Sequence, residues 1–360
     1  MSKRRVVVLG SGKIGRMVGF LMQTCGDYEV VMVDGDRAMA ESAAALAPGA
    51  TAAVARLDDA GEVRRVVQGA WAALSCAPFF CNPIIAKECR DVGVHYLDLT
   101  EDVAVTKQVK ELSAGAKTAF APQCGLAPGF ITIAGYDLAR PLEPLHDLRL
   151  RVGALPRFPS NRLNYNMTWS THGLINEYCN PCEAVEDGKF VTVPPLEQLE
   201  HLKIDGITYE AFNTSGGVGT LAESLHGRVR NLNYKTMRFP GHCDHLKLLL
   251  HDLRFIDRRE ELCDIFDRAI PTTKQDQVVI FCCATGMMEG RFTERTYAKT
   301  VLHQEIGGTH WTAIQITTAA GICAIADLMA EGRLPASGFI RMEDVGLQAF
   351  LSNRFGRYYA

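Results

Sequence analysis

The sequence has little of what a nucleic-acid-binding or secreted protein would show. Its formal net charge is only −3 over 360 residues, and no run of basic residues is interleaved with aromatic ones, so nucleic acid is not an expected partner. After Lys3-Arg4-Arg5 the apolar run lasts only four residues, which is too short for a secretory signal or a membrane span. The sequence also lacks internal repeats and low-complexity segments. We therefore expect a globular protein that has no membrane partner.

Cysteine is plentiful, but its pattern lacks what a disulfide framework or a metal site needs. The twelve cysteines are spread along a chain with no leader pattern, so we expect reduced thiols and a cytoplasmic location. One C-x-x-C pair, Cys179 and Cys182, could be redox-active, or could form half of a zinc site with His242 and His245. Because a second C-x-x-C is missing, we expect packing cysteines and no metal.

The strongest functional signal is an apolar strand that runs directly into a glycine motif and then into a helical pattern. The motif G-x-G-x-x-G consists of Gly10, Ser11, Gly12, Lys13, Ile14 and Gly15. Gly10 would permit the tight turn, Gly12 the close approach of a pyrophosphate, and Gly15 the packing of helix against strand. This context predicts a dinucleotide site, and the alternative is a glycine turn in a flavodoxin-like domain.

A second strand ends in Asp34, about twenty residues beyond the glycines, where a carboxylate can accept both ribose hydroxyls of an adenosine. The same carboxylate would repel a 2′-phosphate, so NAD is the expected cofactor. Arg37 and Lys13 keep NADP possible. Further cofactor contacts are predicted at Asp58, Ala77, Pro78 and Gly125.

Apolar strand-like runs alternate with helical patterns up to about residue 124. The predicted strands are 5–9, 29–34, 52–57, 71–76, 94–99 and 118–123, and the predicted helices are 13–22, 37–46, 60–67, 82–92 and 103–115. This α/β alternation is typical of a doubly wound parallel Rossmann sheet, whose ligand lies at the carboxyl ends of the strands. Later strand-like runs at 146–154, 206–212, 277–284 and 297–305 predict a second, α+β domain with a mixed or antiparallel sheet.

The length of the chain, with 47% hydrophobic residues, is enough for two hydrophobic cores. We place an NAD(P)-binding Rossmann domain at 1–125 and a substrate-binding and dimerisation domain at 126–311. Residues 312–360 open with a long apolar helix, 312–330, and are predicted to pack back on the Rossmann domain.

Five segments, in the same order, resemble the saccharopine dehydrogenase family and, within it, the lysine 6-dehydrogenases. They are residues 10–15, 124–130, 164–174, 210–217 and 234–242. The resemblance implies a Rossmann domain interrupted by a substrate and dimerisation domain, a homodimer, and nicotinamide-dependent oxidation of an amine-bearing amino acid or reduction of an imine. Members differ in whether they take lysine, saccharopine or other C–N linked compounds. Residues 98–102 stand where lysine 6-dehydrogenases carry glycines, which leaves the substrate open.

Oxidation of an amine by hydride loss needs a neutral nitrogen lone pair, and therefore a general base. The candidates are Glu101, Asp98 and His172, with Glu101 the best placed because it leaves the nicotinamide-side strand in an acidic loop. The alternative for Glu101 is a helix N-terminal charge cluster with Asp102. Cys124 suggests a nucleophile by its position, but an amine needs no covalent intermediate, so packing is expected.

An amino-acid substrate also presents a carboxylate, which arginine binds bidentately. Arg238 and Arg162 lie in the family-like segments, and the alternative for each is a surface ion pair or a solvated side chain. His242, also assigned to the substrate site, is either a proton carrier near Arg238 or a satisfied loop histidine. Neutral contacts to the substrate are predicted at Asn166, Ser170, Thr214, Ser215 and Gly216.

Three function classes follow from these patterns. The first is an NAD(P)-dependent amino-acid dehydrogenase that acts on lysine or on a saccharopine-like or other opine substrate. The second, a short-chain reductase, would need Tyr-x-x-x-Lys, and none of the ten tyrosines has lysine four residues later. The third is a non-catalytic NAD-binding module that senses redox state, and it would bind the cofactor without turning over any amine.

Overall fold

A computed structural model describes residues 3–360, which divide into two compact units. Unit 1 comprises residues 3–130 together with Gln315–Ala360, and unit 2 is the continuous segment Ile131–Ile314. The domain boundaries predicted from the sequence, at 125/126 and 311/312, lie a few residues from these positions. Unit 1 is therefore built from two separated stretches of chain, whereas unit 2 is built from one.

The N-terminal stretch of unit 1 alternates strands and helices. They are β1 (Arg4–Leu9), α1 (Lys13–Thr24), β2 (Tyr28–Asp34), α2 (Arg37–Ala45), β3 (Thr51–Val54), α3 (Ala60–Val67), β4 (Ala72–Ser75), α4 (Asn82–Val92), β5 (His95–Asp98), α5 (Val103–Ser113) and β6 (Ala119–Ala121). Aspartates begin three of the helices, since Asp36, Asp59 and Asp102 each accept a backbone N–H of the first turn.

The middle of the chain is richer in strands. Its elements are α6 (Phe130–Ala139), β7 (Leu145–Pro156), α7 (Thr171–Cys179), β8 (Cys182–Glu186), β9 (Lys189–Val193), β10 (Glu200–Ile204), β11 (Ile207–Asn213), α8 (Leu221–Ser224), β12 (Val229–Arg238), α9 (His242–Lys247), α10 (Arg259–Ala269), β13 (Asp276–Met288), β14 (Arg291–Leu302), β15 (Gln304–Ile306) and β16 (Thr309–Trp311). A π-helical turn at Leu248–Asp252 follows α9.

The chain then returns to unit 1 through α11 (Ala313–Ala330), β17 (Gly338–Phe339) and α12 (Leu347–Ser352). Short 3₁₀ turns at Phe79–Cys81, Phe255–Asp257, Met342–Asp344 and Gly356–Tyr359 complete the helical segments.

The sheet of unit 1 is entirely parallel, in the order β17-β6-β5-β4-β1-β2-β3. This confirms the doubly wound Rossmann fold predicted from the alternation. The central strand β1 is buried on both faces, because its residues 6–9 alternate between the two faces and none of them has exposed surface. The strand order reverses between β1 and β4, and an open parallel sheet binds its ligand at the carboxyl ends beside such a reversal.

Unit 2 contains a mixed sheet in the order β10-β11-β12-β7-β13-β14, in which β12 and β7 are parallel and the other neighbours antiparallel. The mixed sheet predicted for the second domain is thus confirmed. The strand predicted at 297–305 is confirmed as far as Leu302, but its bounds are wrong, because it covers the second half of β14 and most of the separate strand β15. β14 begins earlier, after a tight turn in which Glu289 and Gly290 have positive φ. It ends at Leu302, although the backbone N–H of His303 still donates to the carbonyl of Asp276 at 3.3 Å.

Helix α11 is long and apolar enough to cross a membrane by length and composition, but 83% of that window is buried inside the protein. Its one buried acid, Asp327, accepts hydrogen bonds within unit 1 from the Tyr28 hydroxyl at 2.7 Å and from the Asn353 amide at 2.8 Å. The Arg354 guanidinium adds an ion pair at 2.5 Å. The burial and these contacts are those of a core helix.

Candidate functional site

The glycine turn after β1 forms a space that fits a dinucleotide. Gly10 has φ of +96°, and a Cβ there would come within 2.7 Å of the Cys76 carbonyl. A Cβ on Gly15 would lie 1.8 Å from the Gly10 carbonyl oxygen. Gly12, by contrast, has no atom within 4 Å of an added Cβ, and it begins α1 without a side-chain cap. The first amides of α1 therefore face open space, as a helix that receives a pyrophosphate requires.

Asp34 lies at the tip of β2 and is tied to this turn. One carboxylate oxygen accepts the Ser11 backbone N–H at 2.8 Å, and the other accepts that of Asp36 at 3.0 Å. These two bonds leave further lone pairs on both oxygens for ribose hydroxyls. Lys13 is exposed, and Asp58 is exposed in the turn after β3. The residues that would hold the adenosine and pyrophosphate of a nicotinamide dinucleotide are thus the turn at 10–15 and Asp34.

Two polar residues that support the turn were not predicted from the sequence. The Arg16 guanidinium donates to the Ser11 carbonyl at 3.1 Å, and the Gln315 side-chain amide donates to the Lys13 carbonyl at 2.8 Å. Both bonds satisfy carbonyl groups of the loop, so that its amides are oriented towards the open side. Gln315 lies 302 residues from Lys13 in the chain, a separation that no local motif spans.

Asp98 is the last residue of β5, and Ala77 and Gly125 lie in the loops that follow β4 and β6. Asp98 has no exposed surface. Its Oδ1 accepts the backbone N–H groups of Thr100 at 2.9 Å and Gln123 at 3.0 Å, and its Oδ2 accepts the Tyr96 hydroxyl at 2.7 Å. Pro78 is exposed and Gly125 is buried in the loop after β6. Asp98 therefore lies at the predicted edge of the sheet, but it is surrounded by the protein's own donors.

Glu101 is a half-buried titratable group of this edge. Desolvation in the loop raises the pKa of its carboxyl to about 7, and the charges of Asp102 and Asp98 act in the same direction. Asp102 caps α5 by accepting the Val105 backbone N–H at 2.9 Å, whereas Glu101 is not the cap of that helix. A carboxyl with a pKa near neutrality can both take and release a proton at physiological pH.

Cys124 follows β6 and is buried. Its thiol donates to the Ala121 carbonyl at 2.9 Å, and desolvation holds the pKa well above its usual range. A thiol that remains protonated is a poor nucleophile. The geometry matches the packing role expected for this cysteine.

In unit 2, Arg238 is buried in a cage of polar and aromatic groups. Its Nε donates to the Tyr178 hydroxyl at 2.8 Å, its Nη1 to the Thr236 hydroxyl at 2.7 Å, and its Nη2 to Glu177 at 3.0 Å. The guanidinium also lies 5.1 Å from the centre of the Tyr165 ring. Each nitrogen thus has an internal acceptor, so a substrate carboxylate would have to share or displace Glu177 to bind bidentately.

His242 continues this cage, and its contacts determine its tautomer. Nδ1 lies 2.7 Å from the Leu163 carbonyl oxygen, which can only accept, so Nδ1 carries the proton. Nε2 then accepts the Tyr178 hydroxyl at 3.1 Å. Burial, with the nearby Arg238 charge, lowers the pKa of His242 to about 3. A neutral imidazole with both nitrogens occupied matches a satisfied histidine and corrects the proton-carrier interpretation.

The other predicted substrate residues fall into an exposed and a buried group. Arg162 and Ser170 are exposed, and the Ser170 hydroxyl caps α7 by accepting the Gly173 N–H. His172 is 62% exposed and lies 3.2 Å from Glu260, which is itself 86% exposed. His172 therefore lies in an exposed contact on the surface of unit 2, and its role as an acid–base candidate stays a prediction.

The buried group has unmet hydrogen bonds. Asn166 donates to the Ser160 hydroxyl at 3.0 Å, but its Oδ1 has no partner, and neither has the Thr214 hydroxyl. Both side chains are at most 4% exposed. Ser215 donates its backbone N–H to the Glu177 carbonyl at 3.0 Å, and Gly216 is partly exposed beside it. Buried polar atoms without partners are rare in native proteins, so these two call for a ligand or water.

The C-x-x-C pair is buried in unit 2, and burial raises the pKa of both the Cys179 and Cys182 thiols. Over residues 3–360, no group of three or more His, Cys, Asp or Glu side chains is placed to hold a metal ion. All twelve cysteines are free thiols.

Comparison with known proteins gives the same picture for both units. Residues 6–121 match the family model of the saccharopine dehydrogenase NADP binding domain, and residues 125–354 match that of the saccharopine dehydrogenase C-terminal domain. The structure is similar to saccharopine dehydrogenase (L-Glu forming) from Saccharomyces cerevisiae, with a TM-score of 0.79, 16% sequence identity and 94% of each chain covered.

Two further structures share the fold at 13% identity. One is an engineered D-amino acid dehydrogenase bound to NADP⁺, with a TM-score of 0.51, over 97% of this chain and 96% of that one. The other is a C. glutamicum DAP dehydrogenase in complex with DAP, with a TM-score of 0.50 and the same coverage. At these identities the likeness concerns the fold alone.

Proposed function

Because the chain belongs to the saccharopine dehydrogenase family of NAD(P)-binding oxidoreductases, we propose that it oxidises a C–N bond of an amino acid. The reaction we assign is a lysine 6-dehydrogenase-like oxidative deamination that passes through an imine. The nicotinamide cofactor, NAD or NADP, supplies the hydride acceptor when it is bound. The chain's own residues must then bind the amino acid, deprotonate its amine and activate water.

The observation that carries this proposal is the carboxyl of Glu101, whose pKa of about 7 is set by a desolvated position at the carboxyl edge of the nucleotide-binding sheet. A protonated amine cannot expel hydride, so a base must first remove one proton from nitrogen. Glu101 in its ionised form takes that proton. Glu101 then releases this proton to solvent and is ionised again. After the imine forms, the carboxylate takes a proton from water as the water oxygen adds to the imine carbon. It returns that proton to the nitrogen as the C–N bond breaks, so that ammonia leaves and the O–H proton is lost to give the aldehyde.

The overall stoichiometry of the reaction constrains the proton transfers that Glu101 can make. One protonated primary amine, one oxidised cofactor and one water give an aldehyde, one reduced cofactor, ammonium and one proton. The released proton makes oxidation more favourable as the pH rises, and this agrees with a base that must be ionised. Reduction in the reverse direction would use the protonated form of Glu101.

We assign the substrate carboxylate to Arg238, whose charge is kept in a buried cage in unit 2. Because Glu177 already pairs with this guanidinium, the substrate carboxylate would share or displace it. In that desolvated position the attraction between opposite charges is stronger than at an exposed arginine. The unpaired atoms Asn166 Oδ1 and Thr214 Oγ1 support a ligand in the same unit. Asn166 Oδ1 can accept a hydrogen bond from an ammonium group, and the Thr214 hydroxyl can donate one to a carboxylate.

Saccharopine or another opine-type amino acid is the second candidate substrate. Residues 98–102 stand where lysine 6-dehydrogenases carry glycines, which leaves room for this second candidate. Its secondary amine needs the same base as a primary amine. A third possibility, a cofactor-binding redox sensor, predicts binding of NAD(H) or NADP(H) with no turnover of any amine.

The test is an assay of reduced-cofactor formation with lysine, saccharopine, ornithine and related amines at alkaline pH. Glu101→Gln should lower kcat by about 10²–10⁴, and Arg238→Ala should mainly raise KM. Glu29→Gln, an exposed glutamate on β2, is the matched control and should behave as the wild type. Turnover that is unchanged in both site variants would exclude this site, and absence of turnover on every amine despite cofactor binding would favour the sensor.

A further inference from the structure

We infer that Asp98 is a positioning residue, whose buried carboxylate clamps together the two loops that carry Glu101 and Cys124-Gly125, and that it exchanges no proton with the substrate. This rests on the role proposed for Glu101. Asp98 is fully buried, and its two carboxylate oxygens already accept three hydrogen bonds from the protein.

The three donors come from different parts of the sheet edge. Thr100 lies in the loop after β5, Gln123 lies in the loop after β6, and Tyr96 lies within β5 itself. The Asp98 carbonyl adds a fourth bond by accepting the Cys124 N–H at 2.8 Å. One residue therefore bonds both neighbouring loops, and it does so through its side chain and its backbone.

The clamp also holds a strained conformation. Gln123 has a φ of +63°, a left-handed conformation that costs a non-glycine residue on the order of 1 kcal/mol. Its N–H is directed to Asp98 Oδ1 in that conformation. Without the acceptor, the backbone of Gln123 would be free to relax towards negative φ, and the adjoining Cys124-Gly125 turn would move with it.

The bonds extend past Glu101 on its other side. The Thr100 hydroxyl accepts the Asp102 N–H at 3.1 Å, and the Asp102 carboxylate accepts the Val105 N–H at 2.9 Å. Glu101 therefore stands between two residues whose backbone is fixed, one by Asp98 and one by Thr100. The fixed backbone on both sides orients the Glu101 side chain, so that its carboxyl needs no direct hydrogen bond to the side chain of either neighbour.

Asp98 has an electrostatic effect as well. The groups that act on the Glu101 carboxyl are its own backbone N–H, Asp102 and Asp98, in addition to desolvation. Loss of the Asp98 charge should lower the pKa of Glu101 and move the acidic limb of the pH–rate profile to lower pH. A purely structural residue elsewhere would not move that limb.

The test compares Asp98→Asn with Asp98→Ala. Asparagine keeps an oxygen that can accept from Thr100 and Gln123, and its amide can donate to the Tyr96 oxygen, so the clamp survives. Alanine removes the clamp. We expect kcat of Asp98→Asn to stay within about tenfold of wild type with the acidic limb shifted downward, and kcat of Asp98→Ala to fall by about 10² or more.

Amide hydrogen exchange provides a readout that needs no substrate. The N–H groups of Thr100 and Gln123 should exchange faster in Asp98→Ala but not in Asp98→Asn, while dinucleotide binding, followed by fluorescence of the reduced cofactor, shows that the glycine turn is intact. If Asp98→Ala fails to fold, Tyr96→Phe, which removes one donor and leaves both loop bonds, should keep slow exchange and near-wild-type kcat.

The inference is wrong if Asp98→Asn loses as much activity as Glu101→Gln with its loops still protected, because Asp98 would then be a proton-transfer group. It is also wrong if exchange in Asp98→Ala is unchanged, or if Tyr96→Phe frees the loops. If no amine is oxidised, the proposed function fails, while the exchange experiment still decides whether Asp98 clamps the loops.

Discussion

The buried network around His242 predicts that unit 2 loses stability in mild acid. His242 is neutral in the folded protein, with Nδ1 donating to Leu163 and Nε2 accepting from Tyr178. Protonation would place a second positive charge beside Arg238 and would turn the Nε2 acceptor into a donor. The folded state therefore resists the proton that the unfolded chain readily binds.

The magnitude follows from the two pKa values. The ordinary pKa of histidine is 6.5, and burial lowers that of His242 to about 3 in the folded protein. Because the folded pKa lies below the unfolded one, the stability is fully present above pH 6.5 and is lost as the pH falls. Between pH 7 and pH 5 the unfolded chain takes up about 0.7 of a proton and the folded protein almost none, and the difference in bound protons, integrated over this range, is about 2 kcal/mol.

The measurement is the free energy of unfolding from urea titrations at pH 7 and pH 5, made on the wild type and on His242→Gln. The amide of glutamine can still accept from Tyr178 but does not titrate. The fall in stability between the two pH values should be smaller in the variant by about 2 kcal/mol. His251→Gln, at an exposed position of the same unit, is the control and should keep the full fall.

The comparison uses differences between two pH values, so a loss of packing in His242→Gln at both does not affect it. An equal fall in wild type and His242→Gln would refute the reasoning, since it would mean that His242 is protonated in the folded protein. A larger fall in the variant would contradict it as well.

Two further predictions concern the cofactor and the assembly. Asp34→Arg should weaken NAD binding and improve relative NADP binding, because it replaces a carboxylate that repels a 2′-phosphate with a cation that attracts it. An unchanged ratio of the dissociation constants of NAD and NADP would exclude Asp34 as the residue that binds the adenosine ribose. The homodimer predicted through the unit 2 sheet should depend on the β14 face, where Phe292 is 64% and Leu302 38% exposed. Light scattering should therefore report a monomer for Phe292→Glu. The control is Phe158→Glu, since Phe158 lies outside the sheet and is 65% exposed, and this variant should be a dimer like the wild type. A monomeric wild type would contradict the prediction.

Most of unit 1 could be predicted from the sequence because its signals are local. The glycine turn, the acid at the end of β2 and the alternation of strands and helices all lie within short windows. Unit 2 was predicted less completely. Strands such as β9 and β10 are five residues long and half exposed, so they lack the apolar run that marks a core strand. The parallel pairing of β7 with β12 joins residues more than eighty positions apart.

The candidate site was harder to predict because burial cannot be read from residue type. Asp98 and Glu101 are both acids of one loop, yet one is enclosed by three donors and the other is half-buried. Glu177 was missed since a glutamate in a short helix usually faces water, and its partner Arg238 is 61 residues away. The NAD preference, the substrate, the homodimer and the cytoplasmic location stay predictions.

The division of the chain into two units also determines the order in which the segments of each unit are synthesised. Unit 2 is one uninterrupted segment, whereas the sheet of unit 1 gains its last strand, β17, only at Gly338–Phe339, and Tyr28 meets Asp327 across 299 residues. A ribosome therefore synthesises all of unit 2 before it makes the residues that complete the nucleotide-binding sheet. During synthesis the N-terminal stretch of unit 1 therefore cannot complete its fold at once, because one edge of its sheet is uncovered and its core helix α11 is still missing.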